Sequence, residues 1–161
     1  MAEDPVVNSS PLILLSRAGL IDLLQLAGSH IIVPTPVAEE IRICGSSDPT
    51  VVVLDSTDWL TVEDPEPIPS LIAGWDLGPG ESSVLAWALS HRGADAILDD
   101  LAGRRCARAL GIPVRGTLGL VLIAKQRGVI PAARPVLDQL RRHGMYLSDR
   151  VINEALARVG E

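Results

Sequence analysis

Short, uniformly apolar runs alternate with segments that carry helix start and stop signals. No other feature limits the fold as much. The strand-like runs are "VV" at residues 6–7, "HIIVP" at 30–34, "DAILDD" at 95–100 and "IPVRG" at 112–116. Between them, Ser9 or Ser10 followed by Pro11 opens a helix that Gly19 closes. "LIDLLQLAG" reads as a second short helix ending near Gly28, and Thr35 with Pro36 opens another that ends at Gly45. Later helices begin near Gly80, run through "LAGRRCARALG" to Gly111, and fill "TLGLVLIAKQRG", "ARPVLDQLRRHG" and "SDRVINEALARVG". Residues 46–70 break the rhythm. There "VVVL" and "WLTV" are candidate strands and the proline-rich end is a loop.

Strands apolar on both faces and separated by helices belong to a parallel sheet covered on both sides. Right-handed crossovers reduce the topology to an α/β doubly wound sandwich. In such a sheet, ligands bind beyond the carboxyl ends of the strands, where the strand order reverses. The 161 residues suit one domain spanning 1–161, and with no Phe its core must be aliphatic. No apolar run reaches the roughly 20 residues that span a bilayer, and the acidic start "MAEDPVV" lacks the layout of a signal peptide. The expected setting is therefore cytoplasmic, with no membrane partner and with Cys44 and Cys106 as buried free thiols. A net charge of −6 argues against nucleic acid held by overall positive charge. It leaves room for a carboxylate centre beside a local basic patch.

Polar residues collect where the fold would place a site. Asn8 follows the first strand, and Asp99 and Asp100 follow "AIL". Glu81 stands in the first turn after "GPG". In "TPVAEEIRIC" the helical period separates two glutamates: Glu40 lies roughly 60° from Val37, beside the apolar stripe of Val37, Ile41 and Cys44, while Glu39 faces water. An edge of Asn8, Glu40, Glu81, Asp99 and Asp100 suits Mg²⁺ or Mn²⁺, hard cations that take oxygen ligands. The matching chemistry is phosphodiester hydrolysis. Each residue alone also has an ordinary role, as a helix cap, a dipole partner or a solvated face. Their shared placement is the signal.

The segments "VVNSSPLILLSRAG", "IIVPTPVAEEI", "LGPGESSVLAWAL", "AILDDLAGRRCARALGIPVRGTLGLVLIAKQRGVIP" and "LDQLRRHGMYLSD" resemble, in this order, the PIN-domain family and its small stand-alone prokaryotic members. Residues 45–73 lie outside the resemblance. It implies a three-layer α/β/α sandwich with a central parallel sheet and a Mg²⁺- or Mn²⁺-dependent ribonuclease centre. It further implies RNA as substrate, self-association into a homo-oligomer, and kinship with toxins neutralised by a small antitoxin protein. By position, the family's acids correspond to Asn8, Glu40, Glu81 and Asp99 or Asp100, with metal at Glu40, Glu81, Asp99 and Asp100. Ser10 and Thr117 match hydroxyl residues near that centre. Arg104, Arg105 and Arg108, with Arg115 and Lys125, are candidates for phosphate contacts.

The departure is Asn8, where PIN nucleases usually carry Asp. Asn keeps a carbonyl oxygen but loses a charge. Two readings follow: a metal-dependent ribonuclease in which a second aspartate replaces that charge, or a PIN-like binding module without activity. A receiver-like signalling domain would need an acceptor Asp on a middle strand, which the sequence does not offer, and a nucleotide-binding Rossmann domain would need a G-x-G-x-x-G after the first strand, which is absent.

Overall fold

The computed structural model describes residues 3–161. Five strands form one all-parallel sheet: β1 (Val6–Val7), β2 (Ile31–Pro34), β3 (Leu60–Glu63), β4 (Ala96–Ile97) and β5 (Val114–Arg115), in the order β3-β2-β1-β4-β5. β1 pairs Val6 with Ile32 on one side and with Ala96 on the other. The chain thus steps outward from β1 to β3, then crosses back to lay β4 on the free side of β1. The strand order reverses between β1 and β4, and their carboxyl ends flank the crevice where such sheets bind ligands. Helices flank the sheet: α1 (Ser9–Arg17), α2 (Thr35–Arg42), α3 (Pro49–Ser56), α4 (Ser70–Ala73), α5 (Pro79–Ser90), α6 (Leu101–Ala109), α7 (Thr117–Gln126), α8 (Ala133–Arg142) and α9 (Asp149–Arg158). The expected α/β sandwich with a central parallel sheet is the architecture found.

β1, β2 and β4 are buried along their whole length, which is why they read as unbroken apolar runs. Leu15, Leu24, Ile41, Leu85, Leu98, Leu120 and Leu140 fill the core around them, so the missing phenylalanines are replaced by aliphatic side chains. No helix among the described residues is long and apolar enough to cross a membrane.

Several local expectations are corrected. "VVVL" is helical, the body of α3, and only "WLTV" supplies a strand, β3. The start signal outweighs the β-branched run: Pro49 takes the first helical position, and Asp48 Oδ1 accepts a hydrogen bond from the Thr50 N–H at 2.9 Å. Val51 and Leu54 are then buried three residues apart while Val52 faces solvent. "LIDLLQL" tightens to a 3₁₀ segment, Ile21–Leu26. Asn8, not Ser9 or Ser10, stands at the N-cap position of α1, and Pro34, not Thr35, at that of α2, neither with a side-chain cap hydrogen bond. Cys44 is exposed, and only Cys106 is buried, where desolvation pushes its thiol pKa up.

The Asp48 cap predicts a measurable loss. The Thr50 N–H above all, with Arg17 at 2.9 Å, holds its carboxyl below the usual range. Its stabilisation is present above the unfolded-state value and is lost as pH falls through the lowered folded value. Asp48→Ala is expected to cost about 1 kcal/mol at neutral pH. In urea titrations the gap from wild type should close in acid, where the cap is protonated in both states.

Candidate active site

The crevice is built outward from the two central strand ends. Asn8 leaves β1 with its N–H donating to the Ile97 carbonyl at 2.9 Å, which ties it to β4. The residue is only 2% exposed, and its Oδ1 has no hydrogen-bond donor among the described residues. Ser9, opening α1, donates from Oγ to Glu40 Oε2 at 2.8 Å and so anchors the acid from α2. Gly80 makes room for both: a Cβ there would stand 2.5 Å from Glu40 Oε1 and 3.1 Å from Asn8 Oδ1. Two acceptor oxygens therefore approach the same small space, which only a residue without a side chain leaves open. Glu81, one residue on in the first turn of α5, lies over Gly103 of α6, its Cγ 3.8 Å from that glycine's virtual Cβ.

The aspartates are held by different donors. Asp99 accepts from the Thr117 N–H and from the Thr117 hydroxyl, each at 2.7 Å. Asp100 caps α6, with Oδ2 accepting from the Gly103 N–H at 2.8 Å. Asn8, Ser9, Ser10, Glu81, Asp99 and Asp100 line one cleft of about 640 Å³. Its apolar side comprises Leu14, Leu101 and Leu118 together with Met145, Tyr146 and Leu147 from the connection between α8 and α9.

Not every expected residue reaches the cleft. Arg104 lines it and also approaches Gly116, where Asp99 Oδ1 lies. Arg108 lines an adjoining hollow that shares Arg104. Arg105 is exposed and lies outside both. Arg115 is drawn to Asp95 at 2.8 Å, and the Lys125 ammonium donates to the Pro131 carbonyl at 2.8 Å. Neither lines the cleft, because each cation has a closer partner. Thr117 is fully buried and both its donors serve Asp99, so it positions that carboxylate and cannot meet substrate.

The expected metal set is not a closed cage. Among the described residues, no three His, Cys, Asp or Glu side chains converge closely enough to hold one ion. The reason is visible in the bonds: Glu40, Asp99 and Asp100 are each engaged by a separate protein donor. The donors nevertheless fit a hard divalent cation. All are oxygens, Asn8 Oδ1 is buried without a donor, and Glu81 and Asp100 border the same open volume.

Sequence reasoning missed three contributors: Ser9 as the anchor of Glu40, Gly80 as the space beside it, and the Met145–Tyr146–Leu147 wall. Only the wall left a local trace, an aromatic residue just after the helix stop Gly144.

No curated protein matches the sequence. A family model described as a PIN domain matches residues 4–161, and a nuclease-type fold accords with the parallel sheet and its reversal between β1 and β4. The chain belongs to the PIN-domain family.

Proposed function

We propose that the protein is a metal-dependent ribonuclease that hydrolyses RNA phosphodiester bonds with Mg²⁺ or Mn²⁺. The observation that carries this reading is the gathering of Asn8, Glu81, Asp99 and Asp100 on one cleft at the strand-order reversal, with Glu40 beside Asn8. One or two of Glu81, Asp99 and Asp100 would ligate the cation directly and the rest through its waters, with Asn8 and Glu40 completing its oxygen environment. A divalent ion there supplies charge neutralisation at the phosphate and a more acidic water. The chain's own residues do the rest. Ser9 and Thr117 fix the angles of Glu40 and Asp99, Arg104 offers a guanidinium to a phosphate oxygen, and Ser10 presents a hydroxyl to the sugar-phosphate strand. The setting proposed is a cytoplasmic, self-associating toxin restrained by a small protein antitoxin, which rests on the family resemblance.

A second reading, a binding module without hydrolytic activity, is favoured by Asn8 and by the open carboxylate set. A cleavage assay separates the two. A labelled oligoribonucleotide should be cut in Mn²⁺ and left intact in a chelator. Glu81→Gln should fall to background while losing only about 0.3–1 kcal/mol of stability from the helix start. An intact substrate with wild type in Mn²⁺ and in Mg²⁺ would overturn the ribonuclease reading.

A further inference from the structure

Tyr146 is the chain's one tyrosine, and it is 96% exposed on the wall of the acidic cleft. Nothing in the fold requires an aromatic residue there. Its neighbours do the structural work. Gly144 turns the chain at a φ of 105°, and the Met145 N–H donates to the Leu140 carbonyl at 3.0 Å. Met145 is buried and Leu147 packs against the core. The residues alternate inward, outward, inward, so Tyr146 stands out from a backbone pinned on both sides. Across the same cleft Leu101, 62% exposed, follows Asp100 directly. The lining thus combines a bare aromatic face, an exposed leucine, carboxylates and the Arg104 guanidinium.

Flat apolar faces beside a phosphate-binding cation match the two surfaces of an unpaired nucleotide. In a duplex the base faces are stacked and out of reach, and the grooves offer only base edges. Resting on the ribonuclease reading above, we infer that Tyr146 grips the RNA strand by stacking an unpaired base on its ring, with the adjoining phosphate directed to Arg104. Tyr146 is then a substrate-binding residue and stays outside the hydrolytic chemistry. Exposure of the ring means that its replacement leaves the core untouched.

The test measures binding by fluorescence anisotropy, with a labelled oligouridylate and a labelled blunt RNA duplex in Ca²⁺ at low salt. Wild type should bind the single strand at least about tenfold more tightly than the duplex, and Tyr146→Ala should lose about tenfold on the single strand alone. Tyr146→Trp should retain wild-type affinity. Tyr146→Leu, apolar but without a π face, should behave like Tyr146→Ala. In turnover, KM should rise in Tyr146→Ala while kcat holds. Wild-type affinity in Tyr146→Ala or Tyr146→Leu, or equal affinity for the duplex, overturns the inference while leaving a protein that cleaves RNA. A wild type that neither binds nor cleaves either RNA overturns the ribonuclease reading as well.

Discussion

Asp99→Asn should lower RNA cleavage by about a hundredfold or more without unfolding the protein. The substitution is close to isosteric, and the bonding around it survives. The Asn carbonyl can still accept from the Thr117 N–H, and its amide can donate to the Thr117 hydroxyl that now donates to Asp99. What disappears is one negative charge in a cleft that also holds Glu81 and Asp100. Like charges so placed repel, so the metal-free variant should melt at or slightly above the wild-type temperature. Each ~1.4 kcal/mol of lost transition-state stabilisation is a tenfold loss of rate, and a divalent cation accounts for several kcal/mol of it. Thermal scans with and without Mn²⁺ provide the check independent of turnover: ion-dependent stabilisation in wild type should shrink or vanish in Asp99→Asn. A variant that cleaves within a few fold of wild type would remove Asp99 from the centre. Thr117→Val is the companion. It keeps the charge and the backbone N–H bond but frees one carboxylate oxygen, so its loss should be smaller and appear mainly as weaker Mn²⁺ dependence.

What was legible in the sequence divides by the range of the interaction. The placement of Asn8, Asp99 and Asp100 followed from strand ends in a parallel sheet, a local pattern joined to a general rule. The choice of Glu40 over Glu39 followed from the helical period: Glu39 is exposed and Glu40 is held by Ser9. The misreading of "VVVL" is instructive because both signals were local and conflicting. β-branched composition favoured a strand, while Asp48 and Pro49 set a helix start that prevailed once Val51 and Leu54 found the core. The bonds between Ser9 and Glu40 and between Asp99 and Thr117 were not legible. They join residues 31 and 18 positions apart. They depend on which strands lie side by side, and the one-dimensional pattern does not carry strand order. The same limit explains Arg115 and Lys125: their charge was visible, but Asp95 and the Pro131 carbonyl that hold them were not.

Asn8→Asp should strengthen Mn²⁺ binding by about tenfold or more and raise cleavage, at a cost to the metal-free fold. Asn8 is 2% exposed, its Oδ1 lacks a donor, and it shares the space above Gly80 with Glu40 Oε1. An amide has a way to accommodate that neighbour, because rotation about its last bond would turn Nδ2 toward the carboxylate and convert two facing acceptors into a donor and an acceptor. A carboxylate at position 8 has no such option. It would place a buried negative charge beside the part-buried carboxylate of Glu40, and the repulsion is relieved only by a proton or a cation. Asn8→Asp should therefore melt below wild type in chelator and above it in saturating Mn²⁺, a crossing of the two curves that simple destabilisation cannot produce. Gly80→Ala in the same background should abolish the gain, since its methyl would fill the space the ion needs. Whether wild type itself cleaves separates the two readings of the family resemblance. Cleavage by wild type that rises in Asn8→Asp marks a working ribonuclease tuned for weak metal binding. Cleavage seen in Asn8→Asp alone marks a binding module whose hydrolytic centre is closed by one amide.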